Sequence, residues 1–146
     1  MRLTTKGRYA VTAILDVAMN QSSGPVPISE VARRQGISQN YLEQLFSNLK
    51  KSGLVSGIRG PKGGYRLGLK CTKITVADVI DAVDEQVDAT KCGGLKNCQG
   101  NNRCITHNLW AELSTEIRTF MERITLNKLL EENQGICKVS IEKLHS

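Results

Sequence analysis

The sequence of 146 residues lacks several features that define other classes of protein. No apolar run approaches the roughly 18 residues that a membrane-spanning helix requires, so no membrane partner is expected. No period of about 20 to 50 residues recurs, which argues against a solenoid. The phosphate-binding loop, nucleophile elbow and paired-histidine metalloprotease motifs are also missing. We therefore expect neither an enzyme nor a protein with a small-molecule substrate.

Export and disulfide crosslinking are not indicated either. Residues 1–4 form no apolar signal segment, and Cys71 and Cys137 stand far from the other three cysteines in the chain. Thiols of this kind stay reduced in the cytosol. The sequence therefore predicts a cytoplasmic protein whose cysteines are available as ligands.

The positive charge is concentrated in the first half of the chain. Residues 1–70 hold 11 Lys and Arg against 3 Asp and Glu, whereas residues 71–146 hold 9 against 11. A basic half of this kind favours a polyanionic partner, with a merely solvated basic face as the alternative. Double-stranded DNA is the partner that the motifs below indicate.

Apolar spacing predicts three helices in the basic half, over residues 5–20, over 28–35 and from a Ser38 cap to Ser52. Gly36 lies in the tight turn between the second and third helices, as in a helix-turn-helix, although an ordinary helical hairpin is the alternative. Two short apolar segments flank a glycine-rich loop over residues 59–64, which predicts a two-stranded wing. The expected fold is mainly α with a small β-wing, a winged helix-turn-helix.

The second half is predicted to be helical around a central loop. Helices are expected over 76–83 and 126–132, with a long helix of roughly five turns between them that carries apolar residues from Ile105 to Ile124. The apolar face of the long helix has little else to cover, which predicts a homodimer. The domains are then 1–75 for DNA binding, 76–133 for the loop and dimerisation helices, and 134–146 for a flexible tail.

Polar side chains on the third helix and cations on the wing are the candidate DNA contacts. Amide and carboxylate groups can read base edges in a major groove, and an arginine on a slim loop can enter a minor groove. Glu43 repels phosphate but can accept from cytosine, so it could act as a filter between sites. The predicted contacts are Ser38, Gln39, Asn40, Tyr41, Glu43, Gln44, Arg59 and Lys62.

Four potential metal ligands lie in one glycine-rich stretch: Cys92, Cys98, Cys104 and His107. Structural zinc sites usually draw on close cysteine pairs, whereas these cysteines are six positions apart, so the wide spacing favours a larger inorganic cluster. His107 follows Cys104 by three positions, which can bring both side chains to one face of a helix. A structural Cys3His zinc site remains the alternative.

The chain resembles the IscR family of bacterial iron-sulfur cluster regulators from residue 1 to about residue 132. The matching stretches are MRLT at 1–4, KGRYAV at 6–11, QGIS at 35–38, YLEQLF at 41–46, RGP at 59–61, GGY at 63–65 and VDE at 83–85. Asn40 and Lys62 depart from the Ser and Gly that well-known members carry. The site preference and wing contacts of this chain are therefore expected to differ from theirs.

The resemblance implies a 2Fe-2S cluster held by the three cysteines and His107, with Tyr41, Glu43, Gln44 and Arg59 as DNA contacts. It also implies a homodimer that represses the iron-sulfur cluster assembly genes when the cluster is present and binds a second class of sites without it. Related nitric-oxide sensors use an aspartate near position 8. This chain has Arg8 there, which favours the IscR type.

Overall fold

The structure is a computed structural model that describes residues 5–83 and 105–133. Its helices are α1 (Thr5–Asn20), α2 (Ile28–Gln35), α3 (Gln39–Lys51), α4 (Val76–Ala82), α5 (His107–Arg123) and α6 (Leu126–Glu132), and its strands are β1 (Val55–Ile58) and β2 (Gly64–Leu67). Short 3-10 turns follow α1 at Gln21–Ser23 and precede α4 at Cys71–Lys73. The predicted mainly α fold with a small β-wing is confirmed.

Side-chain caps mark where α3, α4 and α6 begin. The Ser38 hydroxyl accepts a hydrogen bond from the Tyr41 backbone N–H at the start of α3. Thr75 and Asp78 form a reciprocal capping box at α4, and Thr125 caps α6 by accepting from the Lys128 N–H. Such caps satisfy backbone donors that the first helical turn leaves unpaired, so helix starts are encoded locally.

One apolar core joins the helix-turn-helix to helices from the second half of the chain. Phe46 and Leu42 of α3 are fully buried in it together with Ile14 of α1. Val79 of α4 and Leu126 of α6 belong to the same cluster. Residues on both sides of the domain boundary predicted at position 75 therefore share this core.

A short backbone bridge anchors the end of α5 beside the start of α4. The Val76 N–H donates to the Ile124 carbonyl at 2.8 Å, and the Leu126 N–H donates to the Ile74 carbonyl at 2.9 Å. The two threonine caps, Thr75 and Thr125, face each other across this bridge. Buried backbone groups need partners, so the bridge holds α5 against the DNA-binding half.

The last two turns of α5 also pack on α4. Met121 forms a small apolar cluster with Ala77 and Ile80, and the Arg118 guanidinium donates two hydrogen bonds to the Asp81 carboxylate. The hydrogen bonds from Arg118 hold the pKa of Asp81 below its ordinary value. In residues 5–83 and 105–133, no helix combines the length and apolarity that crossing a lipid bilayer requires.

Candidate nucleic-acid interface and metal-ligand segment

The turn between α2 and α3 sets the direction of the candidate reading helix. Gly36 adopts the left-handed conformation with φ 65°, and the Ile37 N–H after it donates to the Ala32 carbonyl at 3.2 Å. Glycine takes this conformation without the steric cost that a side chain adds. Ile37 is buried, and α3 therefore leaves the turn with its apolar face already against the core.

The outward face of α3 is polar along its length. Of the predicted contacts, Gln39, Asn40, Glu43 and Gln44 are all exposed on this helix. Ser47 and Asn48 extend the face by a further turn, and they line one open concavity together with Asn40, Glu43 and Gln44. Thirteen residues make a helix of about 20 Å, long enough to lie in a major groove of B-DNA.

Tyr41 is less exposed than the other predicted contacts on α3. It is half-buried, and it packs against the core. It makes an edge-to-face contact with Tyr9 of α1, with the ring centroids 5.9 Å apart. An aromatic pair of this geometry stabilises the junction of two helices. Tyr41 thus joins the start of α3 to the start of α1.

The wing is attached to the segment before α2 by a strand contact and to α3 by an aromatic contact. Val26 and Tyr65 exchange backbone hydrogen bonds of 2.9 and 2.8 Å, which extends the two-stranded sheet toward the loop before α2. A side chain at Gly64 would overlap the Val26 carbonyl, so this approach requires glycine. The Tyr65 ring also packs on Phe46 of α3 with centroids 4.8 Å apart.

Arg59 and Lys62 lie in the loop between β1 and β2, and both are exposed. Gly60 takes a φ of 117°, and its carbonyl accepts a hydrogen bond from the Gly63 N–H at 2.9 Å, which closes the tip. The glycine-rich turn thus presents both cations on a narrow hairpin. The wing is attached to α3 by Tyr65, so these cations and the polar face of α3 belong to one framework.

A buried ionic network ties α2 to α1 and was not predicted from the sequence. Asp16 is 2% exposed and accepts hydrogen bonds from Arg34 Nη2 at 2.7 Å, Arg34 Nε at 3.0 Å and Gln35 Nε2 at 2.8 Å. Hydrogen bonding to Asp16 raises the pKa of Arg34 above its ordinary value. The network fixes the last turn of α2, directly before the Gly36 turn. An aspartate within an apolar helix face is the sequence signal that could have indicated it.

His107 is the one predicted metal ligand that the structure describes. It is the first residue of α5, and it is 3% exposed. The Trp110 indole N–H one turn later donates to the Thr106 hydroxyl at 3.0 Å. Cys92, Cys98 and Cys104 lie outside the described residues, and within the described ranges no group of three or more potential ligands occurs. The donor set of three thiolates and one imidazole fits either an iron-sulfur cluster or zinc.

A helix-turn-helix with a polar reading helix and an attached wing defines a DNA-binding transcriptional regulator. Comparison with known proteins identifies the group: residues 3–132 match the Rrf2 family, described as iron-dependent transcriptional regulators. The chain therefore belongs to the Rrf2 family. The match spans the helix-turn-helix, the wing, the cysteine stretch and the last helix.

Named relatives agree with this assignment. The chain is 59% identical to the HTH-type transcriptional regulator IscR of Aliivibrio salmonicida over 134 residues, an alignment that covers 92% of this chain and 80% of that protein. It is 54% identical to IscR of Vibrio cholerae over 145 residues, an alignment that covers 99% of this chain and 84% of that protein. The solved structure of T. potens IscR aligns with a TM-score of 0.74 at 33% identity and covers 91% of this chain and 88% of that one. The predicted resemblance to IscR regulators is confirmed.

Proposed function

We propose that this regulator acts in the cytoplasm as a homodimer that senses a 2Fe-2S cluster and represses promoters of iron-sulfur cluster assembly genes. The observation that carries the DNA-binding part is the exposed polar face of α3, from Gln39 to Ser47, on the same framework as the wing cations. The similarity to IscR regulators supports the sensing part. Sites that the protein binds without its cluster form a second expected class.

The DNA role is assigned to two elements that enter neighbouring grooves. In the proposed complex, α3 lies in the major groove with Asn40, Glu43 and Gln44 toward the base edges. Arg59 enters the adjacent minor groove, where the negative potential of A·T-rich sequence favours an inserted arginine. Ser38 and Gln39 at the start of α3 and Lys62 on the wing are the remaining proposed contacts. Tyr41 contributes through its polar end while its ring supports α3.

The dimer role is assigned to the exposed apolar face of α5. Leu109 is 54% exposed and Phe120 57%, although the same helix buries Met121 on its other side. Large apolar side chains aligned on one face are typical of a surface that another subunit covers. A second copy of this chain fits because operator sites with two-fold symmetry need two reading helices. The bridge at Thr125 would then fix each reading helix relative to the dimer axis.

The cluster role is assigned to Cys92, Cys98, Cys104 and His107. When bound, an iron-sulfur cluster would supply a redox-active group that is lost under oxidation or iron shortage. His107 begins α5, and α4 packs against α1, α3 and α5, so both helices that border the cysteine segment are tied to the reading head or the dimer face. A structural change in the cysteine segment could therefore reach the DNA-binding helices through α4 and the proposed dimer face through α5.

Metal analysis of the anaerobically purified protein tests the sensing assignment. About two irons and two acid-labile sulfides per chain, with a red-brown colour, are expected. One zinc per colourless chain would contradict the cluster assignment and leave a structural Cys3His site in a DNA-binding protein. Four irons per chain would instead indicate the type of cluster found in nitric-oxide sensors.

Sedimentation of a charged variant tests the dimer assignment. Phe120→Glu places a carboxylate in the apolar face and is expected to shift the protein toward monomer at micromolar concentration, because burying an unpaired charge is costly. Thr119→Glu is the matched control, since it adds the same charge about 100° around the helix. A wild-type protein that sediments as a monomer, or equal effects of both variants, would refute the assignment.

A further inference from the structure

Lys50 occupies the junction between the reading helix and the wing. It lies in the last turn of α3, where its carbonyl accepts a hydrogen bond from the Gly53 N–H at 3.0 Å. Gly53 has a φ of 78° and turns the chain directly into β1. This tight turn brings Gly57 of β1 back beside the side chain of Lys50.

The ammonium group of Lys50 lies above the wing sheet. The point that a Cβ atom of residue 57 would occupy is 3.6 Å from Lys50 Nζ and 3.5 Å from Tyr65 Cε1. Lys50 and the Tyr65 ring therefore share the space over Gly57. Lys50 Cε is 3.9 Å from the same point, so the end of the side chain, and with it the charge, lies over the wing. Lys50 itself is exposed.

No carboxylate of the described residues neutralises this cation. The ion pairs within residues 5–83 and 105–133 are made by Arg34 and Arg118. Asp16 and Glu30, which precede α3, both bind Arg34. Glu43 lies about two turns before Lys50 on α3, and the ion pairs of the described residues include none between them. Lys50 thus presents a charge at the junction without an ionic partner in the described part of the protein.

The geometry of B-DNA indicates what Lys50 would face when α3 and the wing bind neighbouring grooves. A major groove and the adjacent minor groove are separated by one sugar-phosphate strand. If α3 enters the first groove and the wing enters the second, that strand must pass over the junction between them. We propose that Lys50 binds a backbone phosphate of this strand and so clamps the duplex between the reading helix and the wing. The proposal rests on the proposed DNA-binding function.

A phosphate contact differs measurably from a base contact or a structural brace. Each neutralised phosphate contributes about 0.9 to the slope of log affinity against log salt concentration and carries no sequence information. Lys50→Met keeps an unbranched side chain of similar length and removes the ammonium group. We expect it to lower the slope by about one unit per bound chain and to weaken binding equally for matched and mismatched operators.

The experiment measures binding of full-length protein to an operator duplex and to a mismatched duplex across a salt series. Lys50→Arg is expected to restore the slope, because it keeps a cation at the end of a similar stem. Lys128→Ala, which removes an exposed lysine on α6, is the matched control and should leave the slope unchanged. Circular dichroism and thermal melting establish that each variant is folded.

The possible failures are distinguishable. Wild-type binding that is steep in salt, together with an unchanged slope for Lys50→Met, would overturn the phosphate contact and leave the proposed function intact. A loss confined to the matched operator would also overturn it, since that pattern indicates base reading. Wild-type protein that binds neither duplex would instead contradict the proposed function itself.

Discussion

The ionic network between α1 and α2 leads to a quantitative prediction. Arg34→Ala removes the hydrogen bonds of 2.7, 3.0 and 3.3 Å from the guanidinium to Asp16. It leaves a carboxylate that is 2% exposed, for which the Gln35 amide at 2.8 Å is the principal remaining side-chain donor. Removing one partner of a buried ion pair costs about 3–5 kcal/mol.

The expected loss lies below that range because the Arg34 side chain is itself 26% exposed. Water can reach this side of the pair and screens part of the interaction. We therefore expect Arg34→Ala to lower the free energy of unfolding by about 2–3 kcal/mol. With a urea m-value of about 2 kcal/mol/M, the unfolding midpoint should fall by about 1–1.5 M.

The assay is urea unfolding followed by circular dichroism at one fixed protein concentration, because the stability of the proposed dimer would depend on concentration. Arg33→Ala is the matched control: it removes an exposed arginine one position earlier in α2 and should change stability by less than about 0.5 kcal/mol. The unfolding midpoint of Arg34→Lys should lie between those of the two alanine variants, since a lysine keeps the charge but cannot reproduce the planar fork of donors. Equal midpoints for Arg34→Ala and Arg33→Ala would refute the reasoning.

Three further predictions concern the wing, the cluster and the α4–α5 contact. Gly64→Ala should destabilise the protein by more than about 1 kcal/mol, because its methyl group would overlap the Val26 carbonyl. Gly57→Ala is the control, since its methyl group meets only ordinary contacts and should be tolerated. Equal melting temperatures for the two variants would contradict this prediction. Cys98→Ala should abolish the visible absorbance of the proposed cluster while the far-ultraviolet circular dichroism stays unchanged. Unfolding of the variant would indicate a structural site instead. The pKa of Asp81 is depressed on folding by Arg118, so this contact should stabilise the protein above pH 3.8, the ordinary value, and be lost as the pH falls through the lower folded value. Urea midpoints of wild type and Asp81→Asn should therefore converge in acid, and a constant difference down to pH 2 would refute this.

Much of the secondary structure follows from neighbours in the sequence. The helices predicted over residues 5–20, 28–35 and 126–132 have the observed bounds, and the cap predicted at Ser38 is confirmed. Caps, left-handed glycines and apolar spacing act over four residues or fewer, so they can be read from the chain directly. The 3-10 turns at Gln21–Ser23 and Cys71–Lys73 were not predicted, because short turns of this kind have weak signals.

The sequence predicted which residue types form the candidate interface, but only part of how their side chains are arranged. Exposure of Asn40, Glu43 and Gln44 follows from the helical period, since the apolar residues between them must face the core. The half-buried ring of Tyr41 could not be predicted from that period, because it depends on Tyr9 in a different helix. The ligand assignment of the three cysteines and His107 stays a prediction.

The sequence by itself determined the helix-turn-helix, the wing hairpin, the basic half and the family, because each depends on short stretches of residues or on composition. Only the tertiary structure decided that Val26 extends the wing sheet, that Asp16 binds Arg34 and that Lys50 lies over Gly57. Most of these partners are far apart in the chain, and even the nearest of them meet across a turn between different elements. Packing of the shared core sets the distances between such elements, and no local pattern in the sequence records them.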